Sequence, residues 1–89
     1  MENDPFVSLR AQLEQEVWPA VYMFKFIIPN TPEKIAKTAA LFDEGADMTF
    51  HPSSTGKYLS ISVKEMMLDV DSIMEIYAGS KKIQGLMAL

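Results

Sequence analysis

The sequence predicts an α+β domain, a four-stranded antiparallel sheet with two helices on one face. Three observations carry that prediction. Segments of helical periodicity alternate with segments of period two, a polar turn with one glycine joins two strands directly, and a strand–helix pair stands on each side of that hairpin. Helical spacing places residues i, i+3, i+4 and i+7 on one stripe, whereas a strand alternates its faces at every residue, so the two patterns separate cleanly.

The elements follow in order. Asp4 ahead of Pro5 is a helix start, an acceptor followed by a residue preset for the first turn. Phe6, Leu9, Leu13 and Val17 share one helical face, and Trp18-Pro19 ends the segment. From Ala20 to Ile28 the period becomes two. Tyr22, Phe24, Phe26 and Ile28 form the face expected against helices, with Val21, Met23, Lys25 and Ile27 opposite. Thr31 and Pro32 open the next helix, with Ile35, Ala36, Ala39 and Phe42 as its apolar stripe and Gly45 as its end. A second strand runs from Ala46 to His51. After the turn at Pro52 to Gly56, Leu59, Ile61 and Val63 alternate with Tyr58, Ser60, Ser62 and Lys64 in a third. Asp69 caps a further helix bearing Val70, Ile73, Met74 and Tyr77, which Gly79 is expected to close. Ile83 to Leu89 reads as the last strand.

Helix followed by β-α-β-β-α-β is the split βαβ, or ferredoxin-like, order, in which the first and third strands are central. Residues 1–19 read as the helix and lead-in, and residues 20–89 as the ferredoxin-like domain. The chain has 89 residues, one domain near the lower limit of self-sufficient size. Its hydrophobic fraction of 48% makes a core feasible without a disulfide or a structural metal, and seven methionines suit irregular gaps.

Composition excludes several classes of function. A net charge of −4 opposes a phosphate backbone at long range, so no nucleic-acid partner is expected. There is no cysteine for a thiolate metal site, and a single histidine, His51, has no carboxylate at a recognisable ligand spacing. Asp47 shares its strand face but lies about 13 Å along it. No metal and no cofactor is expected. The first residues lack a basic, then apolar, leader pattern, and no stretch reaches membrane-spanning length, so the expectation is a cytoplasmic protein without a membrane partner.

The run Ser53-Ser54-Thr55-Gly56-Lys57-Tyr58, continued by Ser60 and Ser62, resembles the Ser-Ser-x-Gly-x-Tyr-x-Ser signature of the YbeD-like family, small bacterial proteins of unassigned function. The strand Tyr22 to Ile28, the pair Ile76-Tyr77 and the ending Met87-Ala88-Leu89 are similar too, so the likeness spans residues 17–89. The front end, with Trp18-Pro19 and its preceding helix, departs from the usual pattern. The resemblance implies a ferredoxin-like fold akin to the ACT regulatory domain, which binds small ligands between paired domains. ACT domains place their ligand near the junction of the first strand and its helix, usually with an Asp-x-Pro-Gly-like turn, where this chain reads Pro29-Asn30-Thr31-Pro32-Glu33 without glycine.

Two candidate regions for binding emerge. Ser53, Ser54, Gly56, Lys57 and Tyr58 offer hydroxyls, an ammonium group and the backbone N–H groups of a turn, the materials of an anion nest. The same residue types also make an ordinary hairpin turn. Asn30 and Thr31 precede a helix whose first N–H groups lack intrahelical partners and can take a carboxylate, a phosphate or simply a cap. No catalytic residues are expected: a serine nucleophile needs a base, and Asp69, Asp71 and Glu75 read as helix-cap and solvent-face charges.

Association is the other theme. Gln84 to Leu89 forms an expected edge strand without charge or proline, open to pairing unless covered. Leu86, Met87 and Leu89 on that edge, with Met23 and Ile27 on the open sheet face, are the candidate interface, covered either by the N-terminal helix or by a second copy. The sequence therefore supports a noncatalytic regulatory or adaptor domain acting through a protein partner or homodimer. Its alternative is a sensor of a small molecule or anion.

Overall fold

The computed structural model describes residues 5–89. The helix start read at Asp4 lies outside them. The order is α1 (Pro5–Leu13), β1 (Ala20–Pro29), α2 (Pro32–Ala39), β2 (Asp47–Pro52), β3 (Tyr58–Met67), α3 (Val70–Ser80) and β4 (Met87–Ala88). The four strands make one antiparallel sheet in the order β2-β3-β1-β4, so the first and third strands are central as expected.

One face of that sheet is the floor of the core. Phe24, Phe26 and Ile28 of β1 and Ile61 and Val63 of β3 are buried, each brought to the same side by the two-residue period of the strand. Ile73 and Tyr77 of α3 close over them, with Leu13 of α1 and Ile83 beyond α3 also buried. The aromatic rings interlock: Phe24 meets Tyr22 at 4.8 Å, Phe42 at 5.2 Å and Tyr77 at 5.4 Å between centroids, distances at which tilted and edge-on rings attract. Among the described residues no buried side-chain nitrogen or oxygen lacks a hydrogen-bond partner.

Capping sets both later helices. Thr31 Oγ1 accepts from the Lys34 N–H at 3.2 Å, and an Asp69 carboxylate oxygen accepts from the Ser72 N–H at 2.8 Å. Each satisfies one of the first N–H groups that a helix leaves unpaired. The Ser72 bond holds the Asp69 carboxyl below its usual range. Helix α1 packs on α3, where an Arg10 guanidinium nitrogen donates to Asp71 at 2.7 Å and another to Glu14 at 3.3 Å.

Strand β3 runs on to Met67 rather than Lys64, β1 and β2 each end one residue later than expected, and four other element ends differ for identifiable reasons. Helix α1 stops at Leu13 rather than at Trp18, because the Trp18 indole N–H donates to the Leu13 carbonyl at 2.8 Å and the chain turns there; Val17 is left in solvent. Helix α2 ends at Ala39, and turn bonds such as Ala46 N–H to the Asp43 carbonyl replace the last expected turns. That spares Asp43 and Glu44 a place at a helix C-terminus, where anions are disfavoured. Gly79 does not close α3. The helix continues to Ser80, whose hydroxyl donates to the Tyr77 carbonyl at 2.7 Å. The last strand is two residues, not seven: Ile83 turns into the core, and Gly85 at φ +87° redirects the chain, a conformation that glycine reaches without steric cost.

Candidate functional site

The residues singled out around Asn30 and Ser53 come together at one end of the sheet. The β2–β3 hairpin closes through Ser53 N–H to the Tyr58 carbonyl at 2.8 Å, Gly56 N–H to the Ser53 carbonyl at 2.9 Å, and Tyr58 N–H to Ser53 Oγ at 3.2 Å. Gly56 stands at φ +76°, the left-handed turn position its residue type suggested. Asn30, where β1 runs out toward α2, then clasps this turn. Its backbone N–H donates to the Lys57 carbonyl at 2.9 Å and its side-chain amide to the Gly56 carbonyl at 3.1 Å.

The chemistry left at this end is specific. The N–H groups of Ser53, Gly56 and Tyr58 are already used within the turn, and Thr31 Oγ1 is taken by the Lys34 cap. What faces water is the Ser54 and Thr55 hydroxyls, the Lys57 ammonium group and the Tyr58 ring. Serine and threonine here build the turn first and offer a ligand only their outward groups.

A second locus was not singled out from sequence. A cavity of about 260 Å³ lies between the start of α3, the end of β3 and the segment after α2, and it is lined by Asp43, Glu65 and Glu75 with Ser72, Leu41 and Met66. Partial burial, with the nearby Asp43 charge, holds the Glu65 carboxyl above its usual range. A signal for it was present. Glu65 continues the series Leu59, Ile61, Val63 on the helix-facing side of β3, so a carboxylate interrupts an apolar alternation. Among the described residues no group of three His, Asp or Glu is arranged to hold a metal ion.

Buried within the core is one further polar pair. The hydroxyls of Tyr22 and Tyr77 lie 2.9 Å apart, and burial, with the Tyr22 hydroxyl beside it, pushes the Tyr77 phenol above its usual range. His51 is exposed on β2 opposite Ser60, with Asp47 four residues back on the same face, opposite Lys64.

The expected interface residues divide. Met23, Ile27 and Met87 share the sheet face away from the helices, Ile27 and Met87 being directly paired across β1 and β4. Leu89 extends past that pairing, its N–H donating to the Lys25 carbonyl at 2.9 Å. Leu86 instead packs against the core cluster. The N-terminal helix, one of the two covers considered for the β4 edge, has its principal packing on α3.

No family model, curated protein or solved structure matches this chain. No described helix is long and apolar enough to cross a membrane. The arrangement of the residues is therefore the basis for the functional reading.

Proposed function

We propose that this chain is a noncatalytic regulatory or adaptor domain, ferredoxin-like in topology and YbeD-like in kind, that docks its open sheet face on a partner protein. The observation that carries this reading is the composition of that face. Val21, Met23 and Met66 are exposed there beside half-buried Ile27, and Met87 adjoins them on β4. Exposed apolar groups that adjoin across a sheet favour an interaction surface over a merely solvated one.

Charge adds direction. Lys25 and Lys64 project among these apolar residues, and Asp47 is the only acidic strand residue on that side, although the whole chain carries −4. A partner suited to this face has an apolar patch fringed by carboxylates, and its complex weakens as salt screens the lysines. Affinity capture with the wild type, with Met23→Glu and with Lys64→Glu, beside Ser54→Glu on the distant hairpin, tests it. Salt-sensitive binding lost only in the two face variants supports the reading. Binding unaffected by either, or no binding at all, defeats it.

A second reading has its own support in the convergence of Asn30-Thr31 with the Ser53–Lys57 turn, which gathers outward hydroxyls and one ammonium group at a single end. A small anion is the ligand class such groups suit. A thermal-shift screen of amino acids and phosphorylated metabolites tests it. A ligand at a hundred times its dissociation constant adds about 2.7 kcal/mol, and a screen without any shift rules the reading out.

A further inference from the structure

Strand β2 is an outer strand of the sheet, and its three kinds of exposed group match one another about a two-fold axis. We propose that two copies of this chain pair β2 against β2, antiparallel, with Thr49 on the axis, to give a continuous eight-stranded sheet. The proposal goes beyond the docking face, since it uses the rim of the sheet and leaves Val21, Met23, Ile27 and Met66 of that face free.

Backbone comes first. Ser53 N–H points to β3, so alternation along an antiparallel strand turns the N–H and C=O groups of Met48 and Phe50 away from β3, toward the open rim. With Thr49 opposite Thr49 of the second copy, Met48 of one chain faces Phe50 of the other, and each pair can exchange two hydrogen bonds. The ladder ends at the same place on both sides. Pro52 has no N–H, and the Ala46 N–H is already held by the Asp43 carbonyl at 3.0 Å.

Side chains agree with that register. Phe50, on the helix side of β2, is 45% exposed, an unusual position for a phenylalanine beside buried Ile61. Next to Met48 on the same side lies a groove of about 460 Å³, walled by Ala36 and Ala39 of α2, by Ala40 just after it and by Phe42, with Asp43 and Glu44 at its margin. Placing Phe50 of the second copy opposite Met48 sets its ring at that groove, and the two-fold axis does so twice. On the other side of the sheet the same register brings Asp47 opposite His51, the one register in which these two meet. Asp47 then lies between Lys64 of its own chain and the imidazole of the other. Apolar meets apolar, and donor meets acceptor.

Cross-linking decides it, because the chain has no cysteine of its own. Thr49→Cys places two thiols on the axis, in a pair whose Cα atoms stand about 4.5 Å apart, close enough for a disulfide. Ser62→Cys, one strand inward on the same face, leaves the thiols about 14 Å apart and serves as control. Rapid disulfide dimerisation of the Thr49 variant alone, with wild-type sedimentation at twice the 10.0 kDa chain mass and loss of that species in Phe50→Lys, is the expected result. A wild-type monomer throughout, or equal cross-linking of the two variants, overturns the proposal. Neither outcome bears on the Met23→Glu comparison, since Met23 lies on β1, two strands from the β2 rim, so the docking reading stands or falls separately through that variant.

Discussion

Tyr22 of β1 and Tyr77 of α3 share a hydrogen bond of 2.9 Å between their hydroxyls, which ties the sheet to the helix above it inside the aromatic cluster. A buried hydroxyl without a partner costs more than a made bond gains, because it has lost water as well. Tyr77→Phe is therefore expected to lower stability by about 1 kcal/mol. The double change with Tyr22→Phe is expected to lower it by less than the sum of the two single changes. Urea unfolding of the three variants measures this, and strict additivity would show that the hydroxyls do not act as a pair.

The same phenol gives a pH dependence at the alkaline end. Tyr77 has a raised pKa in the folded chain, so the folded state keeps a proton that the unfolded state releases near the ordinary tyrosine value of about 10. Stability is then full below that value and falls as pH rises through it. Ultraviolet titration should show one tyrosine fewer ionising before the unfolding transition, and Tyr77→Phe should abolish the difference.

Phe24 touches Tyr22, Phe26, Phe42 and Tyr77 and is fully buried. Phe24→Ala is expected to cost about 3–5 kcal/mol, from lost burial together with the cavity left among rings that cannot all collapse. The midpoint of chemical denaturation reads this out. An unchanged midpoint is incompatible with the ring's place in the core.

Gly85 serves two needs at once. Its φ is +87°, and a Cβ there would stand 2.8 Å from Pro29 Cγ. Gly85→Ala is expected to cost about 1–2 kcal/mol from the backbone conformation alone. Hydrogen exchange should speed first at the Leu89 amide, which the turn delivers to the Lys25 carbonyl. Loss of stability without that local change would place the strain elsewhere.

Glu65 tests the acidic cavity. Its carboxyl is held above the usual range, so the folded state binds its proton more tightly than the unfolded state and the ionised form weighs against folding at neutral pH. Glu65→Gln should raise stability at pH 7 by a few tenths of a kcal/mol, the group being mostly solvated. That advantage should shrink as pH falls through the raised folded value and be gone once pH is below the ordinary glutamate value of about 4.3. Melting temperatures of both proteins across that range give the answer.

Much of this architecture was legible in residue order. The alternation of Tyr22, Phe24, Phe26 and Ile28 against Met23, Lys25 and Ile27 assigned both faces of β1, since a strand's period admits no other division. Thr31 and Asp69 announced their helices by cap chemistry that acts within three residues. What escaped was set by distant contacts. Ile83 is buried rather than part of a strand, because α3 continues one residue past Gly79 and the Ile83 N–H turns back to the Ser80 carbonyl at 3.1 Å. The clasp of Asn30 on the Gly56 turn joins residues 26 positions apart, beyond the reach of local pattern. Glu65 was within reach, as the one carboxylate in an apolar row.

The two lateral borders of the sheet are unlike. One offers six residues of β2 that end at Pro52; the other offers only Met87 and Ala88. A strand of two residues, paired only to Phe26 and Ile27 of β1, gives an incoming strand too little to hold, so β4 does not match β2 as a site of addition. If copies join through β2, that join uses up the long border of each, and β4 supplies no equal border for a further copy.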